Sequence, residues 1–212
     1  LAKKTGLFVS LEGPDGSGKS TQRALLAKHL RAFGYDVVET REPGGSPVAE
    51  RIRELLLDAK LKGLRAGAEL LLFEAARLQH VHDTILPALA AGKVVLCDRF
   101  TDSTTAYQGA GRAVDPKAVA WLNRIATGGL QPGLTLVYDL GVSQGLQRAR
   151  RAKGGAKDRM ERADKAFHGR VRAAFLAMAK AQPRRVKRIE VDGRTPQQVL
   201  ELGLTLVLER LP

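Results

Sequence analysis

The sequence predicts an α/β fold in three layers: a five-stranded parallel sheet with helices on both faces, in one domain of 212 residues. Three observations carry this. Short apolar runs of β type alternate along the chain with longer runs of helical periodicity. Strands separated by helices pair in parallel and are covered on both faces. A composition that is 44% apolar and 27% charged is that of a globular chain, which at this length buries a core without disulfide staples.

Each element follows in order. Residues 7–12 (LFVSLE) read as a buried strand. Residues 20–33 read as a helix with Leu25, Leu26, His29, Leu30 and Phe33 along one face, stopped by Gly34. A second strand covers 36–40 (DVVET). A helix over 47–58 has Pro47 in its first turn, where a missing N–H costs nothing. A long helical stretch over 67–91 is expected to bend at Pro87. Val94–Asp98 (VVLCD) is a third strand, Pro116–Thr127 a helix and residues 134–140 (LTLVYDL) a fourth strand. Helices over 143–152 and 160–181, a strand over 187–192 and a helix over 196–210 complete the pattern.

Composition narrows the function classes. The net charge of +13 suits an anionic partner: nucleic acid, an anionic membrane surface or nucleotide phosphates. Ten aromatic residues (one Trp, three Tyr, six Phe) leave few platforms for stacking single-stranded bases. No apolar run reaches the roughly 20 residues of a membrane helix. The opening LAKKTG has no apolar core and does not read as a signal peptide. The single cysteine, Cys97, has no internal partner, which fits a reducing compartment. A soluble, cytoplasmic protein is expected, with no membrane partner.

In parallel sheets ligands bind at the carboxyl ends of the strands. After the first strand, residues 13–20 read GPDGSGKS and fit G-x-x-x-x-G-K-S/T between a strand and a helix, the context that makes this phosphate-loop motif credible. Gly13, Pro14, Asp15, Gly16, Ser17, Gly18, Lys19, Ser20 and Thr21 are therefore candidate ATP-binding residues. Glycines let backbone N–H groups surround phosphate oxygens, and the helix N-terminus adds its positive end. Lys19 would reach the β- and γ-phosphates and Ser20 would ligate Mg2+. The fold expected is the three-layer P-loop NTPase fold. A GTPase switch would carry N-K-x-D, which is absent; a nucleic-acid-handling ATPase and a small kinase both stay open on the loop alone.

A kinase needs a second anion site facing the first. Asp98, closing the third strand beside the phosphate loop, is placed to act on Mg2+ through water, and Arg99 offers a guanidinium for phosphate. A local salt bridge explains such a pair about as well. Residues 96–108 read LCDRFTDSTTAYQ, residues 40–46 read TREPGGS, and Phe73 to Arg77 has F-x-x-x-R spacing. This set, in one order along nearly the whole chain, resembles the thymidylate kinase family.

The resemblance implies transfer of the ATP γ-phosphoryl group to dTMP, giving dTDP on the way to dTTP, with MgATP as donor and no nucleic-acid partner. It implies that Arg99 and Arg41 hold the acceptor phosphate, Phe73 stacks on thymine, and Arg77 donates to a base carbonyl. Thr104 and Gln108 would lie near the base, Tyr107 under the sugar, and Asp15 near the 3′-hydroxyl or a metal-bound water. Arg194 would stack on adenine. The acceptor part spans about 41–110. The family also implies a homodimer packed through the long helix.

A closing lid is expected over 148–161 (RARRAKGGAKDRME), where Arg148, Arg150, Arg151, Lys153, Lys157 and Arg159 surround Gly154 and Gly155. Some thymidylate kinases carry an arginine beside the acidic loop residue; here Gly16 and Ser17 follow Asp15, so the transition-state cation must come from elsewhere, as in the bacterial arrangement. Arg150 and Arg159 are the catalytic candidates, with Lys19, Arg99 and Asp15. Other residues read as structural: His80 and His82 as surface or subunit-contact residues, His168 as exposed, His29 at the core edge, Trp121 and Ile125 as helix core, and Cys97 as a buried thiol.

Overall fold

The computed structural model describes residues 6–152 and 163–211. Strand β1 (Phe8–Glu12) is wholly buried and runs into α1 (Lys19–Ala32). Then come β2 (Val37–Arg41), α2 (Pro47–Leu57), α3 (Ala66–His80), α4 (Leu86–Ala90) and β3 (Val94–Asp98). They are followed by α5 (Thr101–Thr104), α6 (Pro116–Thr127), β4 (Leu134–Asp139), α7 (Val142–Ala152), α8 (Lys165–Ala181), β5 (Val186–Glu190) and α9 (Pro196–Leu208). The five strands form one parallel sheet in the order β2-β3-β1-β4-β5. The predicted fold class is thus observed. β1 sits centrally between β3 and β4, so the crevice where the strand order switches opens directly over the phosphate loop.

Both faces of the sheet are dry. On one, Leu26 and Leu30 of α1 and Val199 and Leu200 of α9 pack on Leu11, Leu136 and Ile189. On the other, Phe8, Val95 and Phe100 meet Val81 and Ile85, while Val137 packs with Tyr107, Phe167 and Phe175.

Three expectations about elements needed correction. The long 67–91 stretch is not one α-helix: α3 gives way to a π turn over Val81–Ile85, and Pro87 sits in the first turn of α4. Pro87 has no N–H to return to residue 83, and the wider turn just before it absorbs that gap. The sequence reading assigned no helix to 101–111, yet α5 and a π turn over Thr105–Gly111 lie there. Thr, Ser and Gly are weak helix formers, and packing against α8 overrides them. The helix expected from residue 160 is described from Lys165, where the Asp164 side chain accepts the Phe167 N–H at 2.6 Å as its cap; residues 160–162 lie outside the described residues.

Burial also differs in places. His80 and His168 are buried, not exposed, and Trp121, expected in the core, is 63% exposed. Ile125 and Phe33 are exposed as well. Cys97 is fully buried, and burial pushes its thiol pKa well up. No helix among the described residues is long and apolar enough to cross a membrane.

Candidate active site

A cavity of about 680 Å³ lies at the carboxyl ends of the strands. Its walls come from the phosphate loop and α1, the segments after β2 and β3, α2, α3, α5 and the π turn that follows it, α7, and the segment after β5 with the start of α9. The phosphate loop owes its shape to glycine. Gly13 and Gly16 have φ of 130° and 74°. A Cβ at Gly13 would strike the Tyr138 carbonyl, and one at Gly16 the carbonyl of Gly145 in α7. The loop and the helix that leads to residues 148–161 are therefore in backbone contact.

Lys19 is 6% exposed, and its Nζ donates to the carbonyls of Gly13 at 3.0 Å and Pro14 at 2.8 Å. Burial, and then the charge of Arg99, lower its pKa to about 8 against the opposing pull of Asp98, Asp15 and Glu12. Ser20 Oγ donates to Asp98 Oδ2 at 2.6 Å, so the end of β3 and the start of α1 present two hard oxygens together. That pair suits a divalent cation that keeps waters and takes its other ligands from phosphates. No cluster of three or more His, Cys, Asp or Glu placed to hold a metal occurs among the described residues.

Arg99 holds the centre of the site. It is a non-glycine residue at φ 75°, a conformation costing about 1–3 kcal/mol that surrounding contacts must maintain. Its Nη2 meets Asp15 Oδ1 at 2.5 Å, its Nη1 donates to Ser103 Oγ at 3.2 Å, and its guanidinium lies 4.8 Å from the centroid of the Tyr107 ring. Tyr107 in turn donates to Asp15 Oδ2 at 3.1 Å. Burial acts to raise the Asp15 pKa, but the charges of Arg99 and Lys19 and the Tyr107 hydrogen bond outweigh it, so Asp15 stays below the usual carboxylate range.

Arg77 is 2% exposed yet lines the cavity. Its Nε donates to Glu42 Oε2 at 2.8 Å and its Nη2 to Thr104 Oγ1 at 2.8 Å. Its Nη1 donates to Glu74 Oε1 at 2.6 Å and Asn123 Oδ1 at 2.9 Å. Phe73 and Gln108 also line the cavity, and Gln108 Nε2 donates to Glu69 Oε1 at 2.9 Å. Arg41 lines it while paired with Glu50 at 2.9 Å, and Arg194 lines it while donating to the Glu190 carbonyl at 2.7 Å.

The structure therefore brings the phosphate-loop residues from Asp15 onward together with Arg41, Phe73, Arg77, Asp98, Arg99, Thr104, Tyr107, Gln108 and Arg194. Of the lid arginines, Arg148 lines the cavity, whereas Arg150 and Arg151 are exposed on α7. Arg159, with Lys153, Gly154, Gly155 and Lys157, lies outside the described residues.

Several functional-looking residues were missed. Arg53 lines the cavity and donates from Nη1 to the Pro43 carbonyl at 2.6 Å. Glu12 is fully buried under Arg99 and accepts from the Phe100 N–H at 2.7 Å and Ser103 Oγ at 2.5 Å. Burial and then the charge of Asp102 raise its pKa to about 8. A glutamate ending an otherwise apolar strand was the available signal for it.

Residues 11–201 match the family model described as thymidylate kinase. The thymidylate kinase of Pseudomonas savastanoi pv. phaseolicola is 51% identical over 207 residues, covering 98% of this chain and 97% of that protein. That of Geotalea uraniireducens is 48% identical, covering 97% and 98%. The crystal structure of thymidylate kinase from Ehrlichia chaffeensis superposes with a TM-score of 0.79 at 34% identity, covering 96% of this chain and 99% of that one.

Proposed function

The chain belongs to the thymidylate kinase family and transfers the γ-phosphoryl group of ATP to dTMP, and we propose a division of that work among its residues. The observation that carries the reading is the Asp15–Arg99–Tyr107 cluster, which joins the phosphate loop to the part of the same cavity lined by Phe73, Arg77, Thr104 and Gln108. The two broader readings, a kinase for another monophosphate and a nucleic-acid-binding NTPase, are not favoured by relatives that share about half their residues over nearly the full length.

In this reading Gly13 to Thr21 cradle the ATP phosphates and Arg194 flanks the adenine. Arg99 and Arg41 hold the acceptor phosphate, Arg41 exchanging its Glu50 partner for it. Phe73, Arg77, Thr104 and Gln108 meet the base, and Tyr107 lies under the sugar, where its bulk opposes a 2′-hydroxyl. The acceptor phosphate is already ionised at neutral pH, its second pKa being about 6, so no general base is needed. An acceptor oxygen bonds to the γ-phosphorus as the bond to the β-phosphate oxygen breaks, and ADP leaves. What remains for the protein is alignment and neutralisation of charge on the equatorial oxygens. Lys19 supports the γ-phosphate side, and Asp15 and Arg99 fix the acceptor. Ser20 and Asp98 would hold Mg2+, which when bound supplies positive charge to the β- and γ-phosphates.

With no arginine in the phosphate loop next to Asp15, we assign the remaining cation to the lid, with Arg150 and Arg159 as first candidates and Arg148 and Arg151 next. Alanine at Arg150 and at Arg159 is expected to lower kcat far more than it raises either substrate KM. An unchanged kcat in both variants removes the lid assignment.

The acceptor is tested by ADP release with ATP and Mg2+ across dTMP, dUMP, UMP, dCMP, AMP and no acceptor. Strong dTMP dependence is expected, with dUMP weaker and UMP near background. Turnover indifferent to the monophosphate would overturn the acceptor reading.

The oligomer is part of the proposal. α3 packs on both α2 and α6, and these three helices leave Leu55, Leu71, Leu78, Trp121 and Ile125 exposed. Exposed apolar side chains on three neighbouring helices suit a second copy of the chain. Sedimentation should give a dimer, and Trp121→Glu should shift it to monomer; a monomeric wild type excludes the assignment. The buried Cys97 thiol supports a cytoplasmic setting, and the cations lining the cavity support a reading in which positive charge serves nucleotides and not nucleic acid or membrane.

A further inference from the structure

We infer that His80 and Asn123, which do not line the cavity, are positioning residues that set base selectivity by fixing Arg77 from behind. The inference rests on the reading that Arg77 meets the acceptor base.

A guanidinium carries five N–H donors and no acceptor. Four are taken by Glu42, Glu74, Asn123 and Thr104, leaving one Nη2–H. An arginine that only grips its surroundings would be buried out of the cavity; this one lines it beside Thr104. In this reading the remaining donor meets the carbonyl at the 4-position of the thymine ring, where a cytosine-type base carries an exocyclic amine that cannot accept it. A site that offers one fixed donor rejects the analogue that cannot accept it, provided the donor cannot swing.

Two contacts prevent the swing. Asn123, reaching from α6, must turn its amide oxygen to Arg77, because a guanidinium only donates. Glu42 holds Nε, and Glu42 is itself held by His80. His80 Nδ1 lies 3.0 Å from Glu42 Oε1 and Nε2 lies 2.7 Å from Thr40 Oγ1. With Nδ1–H given to the carboxylate, Nε2 accepts from the threonine hydroxyl, so the ring is tied at both ends while fully buried. The segment after β2 closes on it: a Cβ at Gly45 would strike the imidazole, and Thr84 Oγ1 holds the Gly45 carbonyl at 2.8 Å. The chain from Thr40 through His80 and Glu42 to Arg77 thus links β2 rigidly to the cavity wall.

The test compares kcat/KM for dTMP and dCMP, with the ATP KM as a control, in His80→Leu, His80→Asn, Asn123→Ala and Arg77→Met. His80→Leu and Asn123→Ala should each lower the dTMP-to-dCMP ratio about tenfold, the order expected on loosening a charge-assisted hydrogen bond, with the ATP KM unchanged. His80→Asn places an amide N–H near the position of Nδ1 and should restore most of the ratio. Should His80→Leu not fold, Asn123→Ala decides. An unchanged ratio in the folded variants overturns the inference when Arg77→Met still collapses it. An unchanged ratio in Arg77→Met overturns the base reading itself, and the inference with it.

Discussion

Lys19→Met is expected to abolish useful phosphoryl transfer and, at the same time, to make the nucleotide-free protein more stable near neutral pH. The two effects share one cause. Lys19 is an ammonium held in a nearly dry phosphate loop, with two backbone carbonyls as its closest acceptors. That arrangement suits an incoming triphosphate and does not suit the loop alone. Burial, with Arg99 as a second positive charge, brings its pKa from 10.5 to about 8. Between about pH 8 and 10.5 the unfolded chain binds a proton there that the folded chain does not, so stability rises with pH across this window. Below about pH 8 the full penalty applies, on the order of 3 kcal/mol. Methionine has similar length and carries no charge, so it removes the penalty. It also removes a preorganised donor, at a cost of roughly 10²–10³ in kcat or more. The check is the difference in thermal stability between wild type and variant from pH 7 to 10. The variant should be the more stable at pH 7, with the gap closing as pH rises. A variant less stable at pH 7, or a gap that does not change, refutes the account. ATP should restore the wild type's advantage at pH 7, because binding to the folded state alone stabilises it.

The parts legible in the sequence were those whose chemistry is contiguous. GPDGSGKS between a strand and a helix, and Asp98-Arg99 at the end of an apolar strand, are each readable within a few residues, and both reach the cavity. The sheet was legible because its strands are apolar runs between helical patterns, and four of its five strand ends do face the cavity. Arg77 was found, but its partners were not. They come from the segment after β2, from α3, from α6 and from the end of α5, and no local pattern joins Glu42, Glu74, Asn123 and Thr104. The same limit misplaced the histidines. An H-x-H on a helix is informative about a metal and silent about which ring points inward; His80 is buried by Gly45, Thr40 and Glu42, all from the segment beginning at β2. Trp121 fits a core face by periodicity, but on α6 it is left 63% exposed. No helix was expected over Thr101 to Gly111, whose helix propensities are poor, and there Tyr107 packs against Phe167 and Phe175 of α8.

The other large expected effect is at Arg99. Arg99→Met should lower kcat/KM for dTMP by about 10²–10³, the cost of one preorganised charge donor, while leaving the ATP KM within a few-fold of wild type. Arg99→Lys should recover only part of it. The guanidinium makes directed contacts to Asp15 from Nη2 and to Ser103 and, at 3.4 Å, the Gly13 carbonyl from Nη1, and stacks over Tyr107. An ammonium keeps the charge but has no planar fork and no stacking face. A pH profile separates this role from a merely structural one. In the wild type Asp15 is held ionised below the usual carboxylate range, chiefly because Arg99 and Lys19 offset its burial. Without Arg99 burial has the larger share, and the Asp15 pKa must rise. Asp15 would then lose its charge at higher pH than in the wild type, and become a weaker acceptor for the Tyr107 hydroxyl. Arg99→Met should therefore show an acid limb displaced upward relative to wild type, and Asp15→Asn in the same background should remove that displacement. A lowered kcat/KM with an unmoved acid limb would separate Arg99 from Asp15, and an unchanged kcat/KM would leave the acceptor phosphate to other arginines that line the cavity, Arg41 and Arg53 first.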